Sequence, residues 1–361
     1  MYQKIFARVQ KYERHLSALA MVAGFVADNL LFERVDLWQT QSVFAGYTVI
    51  CFISISLLHW IEARTARGRP RPRWRLLLPI ATQFALGGFW SGFVIFYGRS
   101  ADLGASWPFL IFLFLILLGS EYFSRYHERL VFTSVLFFFA LYSYAIFALP
   151  IYTGTLGVWT FIGSSIVAVC IFTLFTFLLK ILSRERFLAD IQHIRLGALG
   201  VLIVLNVFYF TNILPPLPLS ASAAGVYHSV ARVSGEYLAK SESKPWKVRY
   251  LGFAPTLHIT RGEPIYAYSS VFAPTALTTN IVHRWQWYDP LKKKWITKAI
   301  IAYSIFGGRD NGYRGYSTVG MNEIGKWRVD VETIDGRRIT RLPFTVAIVA
   351  TPLPEEAITL N

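Results

Sequence analysis

Residues 130–149 have the sequence LVFTSVLFFFALYSYAIFAL, twenty residues without a charge. A run of this length and composition is what an α-helix needs to cross the hydrocarbon core of a bilayer. Six further stretches approach the same pattern. The seven predicted spans are residues 15–32, 39–61, 76–97, 105–122, 130–149, 157–181 and 196–213.

Composition divides the chain into two parts. Overall, 54% of the residues are hydrophobic and only 16% are charged, compared with about 25% charged residues in soluble domains. Up to about residue 217 the charges lie in short clusters between apolar runs, whereas beyond it charged and aromatic residues are interspersed. This predicts a seven-span transmembrane domain over residues 1–214, a Pro-rich linker over residues 215–219, and an extracytoplasmic β-rich domain over residues 220–361.

The positive charges predict the orientation of the spans. The second connecting loop carries six arginines between Arg64 and Arg75, and the N-terminus, the fourth loop and the sixth loop are also basic. The first and third loops contain only Arg34 and Arg99, and the fifth contains no basic residue. Because Lys and Arg are retained on the cytoplasmic side, this alternation predicts a cytoplasmic N-terminus. Seven spans then place the C-terminal domain outside the cytoplasm.

The second part of the chain has the pattern of an all-β domain. Segments rich in β-branched and aromatic residues alternate with turn residues, which is typical of strands. The expected strands are residues 265–272, 280–288, 295–305, 326–333 and 341–349, with a weaker one at 247–253. Asp335-Gly336 between the last two is a hairpin signal. We therefore expect a small antiparallel sandwich of about seven strands.

The net charge of +15 is shared by both parts. Residues 1–214 contain 18 basic and 10 acidic residues, and residues 215–361 contain 18 and 11. The basic outer domain is expected to attract anionic lipid headgroups or anionic envelope polymers. Nucleic acid is not expected as a partner, because the predicted topology places this domain outside the cytoplasm.

A first candidate site lies at the outer end of the predicted bundle. It consists of Asp28, Arg34, Asp36 and Arg99. Ionisable groups inside or beside the hydrocarbon are costly unless they are paired or hydrated. Either a structural ion pair or a ligand, ion or proton site satisfies this requirement.

A second candidate site lies in the β-rich domain, in the segment His283-Arg284-Trp285-Gln286-Trp287-Tyr288. In a strand, His283, Trp285 and Trp287 share one face and Arg284 shares the other with Gln286. If the indoles are core, the Arg284 face is exposed. If the indoles are exposed, aromatic rings beside arginines suit sugars and oxyanions. Arg309 and Arg314 are further candidates in the following segment.

Motifs for catalysis and metal binding are missing from the sequence. It contains no phosphate-binding loop of the Walker type, no Gly-x-Ser-x-Gly, no His-Glu-x-x-His and no paired Cys or His spacing for zinc. The two cysteines, Cys51 and Cys170, lie in predicted spans and are expected to be packing residues. No metal and no cofactor are therefore expected, and enzyme activity stays an open question.

Several strings in the last 110 residues resemble an uncharacterised bacterial domain of unknown function that closes membrane-anchored envelope proteins. They are His283-Arg284-Trp285, Gly307-Gly308-Arg309, Gly315-Tyr316-Ser317 and Gly325-Lys326-Trp327-Arg328-Val329-Asp330-Val331, followed by Asp335-Gly336. In the bundle, Asp28-Asn29, Arg34-Val35-Asp36, Ser106-Trp107-Pro108-Phe109 and Gly119-Ser120-Glu121 are similar to multi-span members of that group. The resemblance implies a bacterial inner-membrane protein and supplies no activity.

Three functions fit these observations. The first is an envelope protein whose outer β-domain binds an anionic glycan, a lipid headgroup or an envelope partner. The second is a transporter or membrane-embedded enzyme that uses the polar cluster at the outer membrane face. The third is a scaffold for other envelope proteins.

Overall fold

The computed structural model describes residues 32, 35–100, 103–122, 129–216, 218–243, 254–274, 278–306 and 312–360. These residues form a helical N-terminal region and a β-rich C-terminal region. Six α-helices are described, and a 3-10 turn at Arg73–Leu76 precedes the second of them. They are α1 Trp38–Ala66, α2 Leu77–Ser100, α3 Leu103–Tyr122, α4 Leu130–Thr153, α5 Val158–Leu182 and α6 Arg184–Phe210.

Five helical segments of the described part are long and apolar enough to cross a membrane, judged by length and composition. Helix α3 has a shorter apolar segment, Ser106–Ile116. The predicted first span lies outside the described residues except for Phe32. The expected helical region is therefore present, while the number of spans stays a prediction.

The chain divides into two compact units. The first comprises residues 1–98, 112–144 and 169–201, and the second comprises residues 99–111, 145–168 and 202–361.

Aromatic rings hold the first unit together. The Phe44 ring on α1 lies 5.5 Å from Phe89 and 5.7 Å from Phe93 on α2, and 5.6 Å from Tyr144 on α4, measured between centroids. Gly92 permits this approach, because a Cβ at that position would lie 2.4 Å from the Phe44 ring. Such ring packing fixes α1, α2 and α4 against one another.

The β-rich region contains eleven strands within its described residues. They are β1 Ser220–Tyr227, β2 Ser229–Val233, β3 Glu236–Glu242, β4 Thr256–Ile259, β5 Pro264–Phe272, β6 Thr278–Asp289, β7 Lys294–Phe306, β8 Tyr313–Gly320, β9 Gly325–Thr333, β10 Arg338–Ile348 and β11 Glu355–Leu360. They form a five-stranded sheet of order β4-β10-β9-β6-β7 and two three-stranded sheets of order β1-β5-β8 and β11-β3-β2.

The three sheets are stacked as layers. On β5, Ile265 and Ala267 belong to the core cluster shared with Trp285, Trp327 and other residues of the five-stranded sheet. The alternate residues Tyr266 and Tyr268 pack instead with side chains of the β11-β3-β2 sheet. The β1-β5-β8 sheet is therefore the middle layer, and no further sheet of the described residues packs on the other face of the five-stranded sheet, which we call the open face.

The expectation of about seven antiparallel strands is corrected by this topology. Five expected strands correspond to β5, β6, β7, β9 and β10, and the expected strand at 247–253 lies outside the described residues. The β4 and β10 pair is parallel. Strands such as β1, with the sequence SASAAGVY, escape prediction because alanine, serine and glycine have low β-propensity.

Candidate anion-binding face

Consecutive residues of β6 face opposite environments. His283 and Trp285 are fully buried, whereas Arg284 and Gln286 are half-buried on the open face of the five-stranded sheet. Alternation along a strand produces this separation. Of the two alternatives predicted from the sequence, the structure therefore shows the one in which the Trp285 indole lies in the core and the Arg284 face is exposed. His283 and Trp285, proposed above as candidate binding residues, are corrected, because neither exposes a side chain to a ligand.

A hydrogen-bonded network surrounds His283 inside the core. Its Nε2 lies 2.7 Å from Ser269 Oγ and its Nδ1 lies 2.8 Å from Ser317 Oγ. Ser269 Oγ also lies 2.6 Å from the Tyr303 hydroxyl, and Trp285 Nε1 donates to Ser317 Oγ at 2.9 Å. Burial lowers the pKa of His283 to about 4. The imidazole is thus neutral at pH 7, and its role is to join β5, β6 and β8 with satisfied polar groups.

On the open face, two arginines are neutralised by carboxylates from the neighbouring strand. Arg284 donates from Nε to Glu332 Oε1 at 2.6 Å, and Arg341 donates to both oxygens of Asp330, from Nε at 2.6 Å and from Nη2 at 2.7 Å. Both carboxylates are buried under these side chains. Charge-assisted and bidentate hydrogen bonds are the stronger ones in proteins. The positive charges of Arg284 and Arg341 are therefore already compensated by Glu332 and Asp330.

Arg328 on β9 differs from these two arginines. Its Nε donates to Gln286 Oε1 at 2.7 Å, and its guanidinium carbon lies 4.1 Å from the centre of the Trp295 ring. Within the described residues it forms no salt bridge with a carboxylate. Burial, followed by the charge of Arg341, lowers the pKa of Arg328. An arginine stays protonated at physiological pH. The contacts with Gln286 and Trp295 hold this guanidinium in place.

The other candidate residues are more scattered. Trp287 is half-buried and donates from Nε1 to the Ile324 carbonyl at 3.0 Å, with the Lys298 ammonium 5.1 Å from its ring centre. Arg314 lies on β8, where its carbonyl accepts a hydrogen bond from the Tyr237 hydroxyl at 3.2 Å. Arg309 lies outside the described residues.

The predicted cluster at the outer membrane face is largely outside the described part of the chain. Asp28 and Arg34 fall outside it. Asp36 lies half-buried shortly before α1. The backbone of Arg99 belongs to α2, but its side chain is not among the described ones. This cluster therefore stays a prediction.

A second polar cluster links β3 to β4 and β11. His228 Nε2 lies 2.9 Å from Glu242 Oε1, His258 Nδ1 lies 2.8 Å from Glu242 Oε2, and His228 Nδ1 lies 3.6 Å from Glu355 Oε1. Burial acts to raise the pKa of Glu242, but hydrogen bonds from His258 and His228 outweigh it and leave that pKa below its usual value. Among the described residues no group of three or more His, Cys, Asp or Glu is arranged to hold a metal.

Sequence reasoning missed Arg328 as a site residue, although a signal was available. In the strand GKWRVDVET, polar Lys326, Arg328 and Asp330 alternate with apolar Trp327 and Val329. This alternation places Arg328 on an open face. Its partner Gln286 is 42 residues away in the chain, so the pairing itself has no local signal.

Residues 278–346 match the family model described as a protein of unknown function (DUF2914). The match covers about a fifth of the chain and contains the open face with Arg284, Arg328 and Arg341. It confirms the expected C-terminal domain of unknown function, while the multi-span membrane family stays a prediction. No curated protein matches the chain.

A solved structure of the alkylpurine DNA glycosylase AlkC from Pseudomonas fluorescens, bound to DNA containing an abasic site analog, aligns with 87% of this chain and 99% of its own at 9% identity. The TM-score is 0.23, which is too low to indicate a shared fold.

Proposed function

We propose that the protein is an integral membrane protein of the bacterial envelope whose β-rich C-terminal domain binds an anionic group on the open face of its five-stranded sheet. The observation that carries the proposal is the Arg328 fork, stacked on Trp295 and oriented by Gln286, without a carboxylate partner among the described residues. Glycans, lipid headgroups and other envelope proteins all present such carboxylate or phosphate groups.

The surroundings of Arg328 support this chemistry. Arg341 and Arg284 already bind Asp330 and Glu332, so they position the face and leave Arg328 as the arginine that can receive a ligand. The guanidinium carbon lies over the Trp295 ring and Nε donates to Gln286, so neither contact uses the Nη donors. A planar fork of this kind matches a carboxylate or phosphate through two parallel hydrogen bonds.

The test compares the full chain with Arg328→Gln and Arg328→Lys variants in uncharged detergent, by calorimetric titration with inorganic phosphate, citrate and glucuronate at low salt. We expect Arg328→Gln to weaken binding about tenfold, because a charge-assisted hydrogen bond is lost. Arg328→Lys should recover only part of it, since an ammonium cannot form the bidentate pair. The matched control is Arg261→Gln, which removes an exposed charge in the turn before β5.

Equal affinities of the wild type and Arg328→Gln would contradict the proposed function. The absence of any anion binding at low salt would contradict it as well.

The proposal includes a cytoplasmic N-terminus and a periplasmic C-terminal domain in the inner membrane, on the basis of the arginine alternation. A reporter that is active only outside the cytoplasm should be active when fused after Asn361 and silent when fused after Gly68. The reverse pattern would exclude this orientation.

A further inference from the structure

A turn at the tip of the β6–β7 hairpin carries three consecutive exposed lysines, Lys292, Lys293 and Lys294. Asp289 shapes this turn, since its Oδ1 accepts hydrogen bonds from the backbone N–H groups of Leu291 at 2.9 Å and Lys292 at 3.2 Å. Leu291 is 93% exposed. The lysines are therefore presented to solvent by a defined turn.

The tip continues the surface that begins at Arg328. Gln286, the hydrogen-bond partner of Arg328, precedes Asp289 by three residues on β6, and Asp289 pairs with Lys294. At about 3.4 Å per residue, this places Lys294 about 10 Å along the strand from the level of Arg328. Alternation places the Lys294 side chain, opposite Asp289, on the other face from Arg328, so we call Arg328, Lys326, Lys292 and Lys293 the distal stripe.

Charge on the open face changes sharply along the strands. Near the start of β6, Arg284 and Arg341 are neutralised by Glu332 and Asp330. The distal stripe contains four basic residues, and the turn beside it contains one acidic residue, Asp289, whose Oδ2 lies 4.0 Å from Lys292 Nζ. Lys293, Lys294 and Lys326 form no salt bridge with any carboxylate in the described part of the chain. The surplus positive charge is thus concentrated at one end of the sheet.

The opposite end of the same strands adjoins the helices. Ile281 and Val331 share a core cluster with Leu156 of the α4–α5 connection, and Arg337 donates to the carbonyls of Leu214 and Pro215. From Ile281 to Asp289 the strand advances eight residues, about 27 Å. The distal stripe therefore lies at the end of these strands that is remote from the contacts with Leu156, Leu214 and Pro215.

We infer that the ligand of the distal stripe is an acidic polysaccharide, a chain of sugars that carries several carboxylates. This inference rests on the proposed function. A single oxyanion fills the Arg328 fork, and the lysines about 10 Å further along can bind additional charges carried by the same molecule. Trp295 and Tyr288, whose ring centroids are 5.3 Å apart, lie between these cations. Aromatic side chains beside cations suit the apolar faces of sugar rings.

The test uses the full chain in uncharged detergent with fluorescent polygalacturonate as the probe. The variants are K292Q/K293Q/K294Q at the tip and R232Q/K240Q/R261Q as a control with the same charge change on other elements. Linking several weak contacts on one molecule raises its affinity, so the polymer should bind far more tightly than the galacturonate monomer. The tip variant should lose about tenfold in polymer affinity and show a weaker salt dependence, with monomer binding unchanged. The control should change less than twofold.

Additional probes separate this inference from the proposed function. Polyglutamate that binds as tightly as polygalacturonate would assign the stripe to acidic proteins, and anionic phospholipid that displaces the polymer would assign it to membranes. Both results would overturn the inference and leave anion binding intact. Equal losses in the tip and control variants would also overturn it. If no anion of any kind binds, the proposed function fails together with the inference. The lysines are exposed, so the variants should keep the unfolding midpoint of the wild type.

Discussion

The two faces of the five-stranded sheet are built from alternating residues of the same strands and have opposite properties. On the inner face, His283, Trp285 and Trp327 are fully buried, and their polar atoms find partners within the core. On the open face, Arg284 and Arg341 pair with carboxylates near one end, whereas Arg328 further along has no carboxylate partner in the described part of the chain. Residues that stabilise the core therefore alternate along the chain with residues of the proposed binding face, so single substitutions can affect one group without the other.

The largest expected effect is on the inner face. Trp285→Ala should lower the free energy of unfolding of the β-rich region by about 3–5 kcal/mol, because it removes a fully buried indole and leaves a cavity. Pulse proteolysis of the full chain in urea measures this energy. The control on the open face is Ile300→Ala, which is 56% exposed and should cost less than about 1 kcal/mol. Similar costs for the two variants would show that the faces do not differ as described.

Acid should act mainly through the inner face. The unfolded chain protonates His283 near its ordinary pKa of 6.5, whereas the folded protein does so only near 4. The stabilisation that depends on neutral His283 is therefore fully present above about pH 6.5. It is lost as the pH decreases toward 4, and the free energy of unfolding falls by about 2 kcal/mol between pH 7 and pH 5. The measurement is the unfolding energy as a function of pH. His283→Gln should flatten this slope whatever its effect at pH 7, and an unchanged slope would rule out His283 as its source.

The smallest effect distinguishes two arginines of the open face. Arg341→Met should cost about 1.5 kcal/mol, since it leaves the buried carboxylate of Asp330 without its bidentate partner. Arg328→Met should change stability by no more than about 0.5 kcal/mol, because no carboxylate among the described residues would be left without its partner. The unfolding energies of the two variants give the comparison. A larger cost for Arg328→Met would mean that this arginine supports the fold rather than a ligand.

Much of the β-rich region was predictable where strands alternate β-branched or aromatic residues with polar ones. The expected strand at residues 280–288 lies within β6, and the one at 326–333 nearly coincides with β9. Strand β8 was missed, because its two glycines, Gly315 and Gly320, weaken the signal. Gly315 is needed there, since a Cβ would lie 2.7 Å from the Tyr303 ring.

The candidate site was predictable only in part. The exposure of the Arg284 face followed from the alternation in β6 once the indoles were taken as core. The difference between Arg284, which pairs with a carboxylate, and Arg328, which has no carboxylate partner among the described residues, could not be predicted, because the partners lie far apart in sequence. Arg284 and Glu332 are separated by 48 residues, and a strand pattern carries no information about which strand lies beside it.

Arg337 has a mechanical consequence for the molecule. Its buried side chain donates to the carbonyls of Leu214 and Pro215, and its guanidinium lies 4.4 Å from the centre of the Tyr209 ring. Tyr209 in turn stacks on Phe161 at 3.7 Å. The β9–β10 turn thus holds Leu214 and Pro215, which follow α6. These two residues cannot rotate freely. A force applied to the tip of the β6–β7 hairpin would therefore be transmitted along the strands to the ends of α5 and α6.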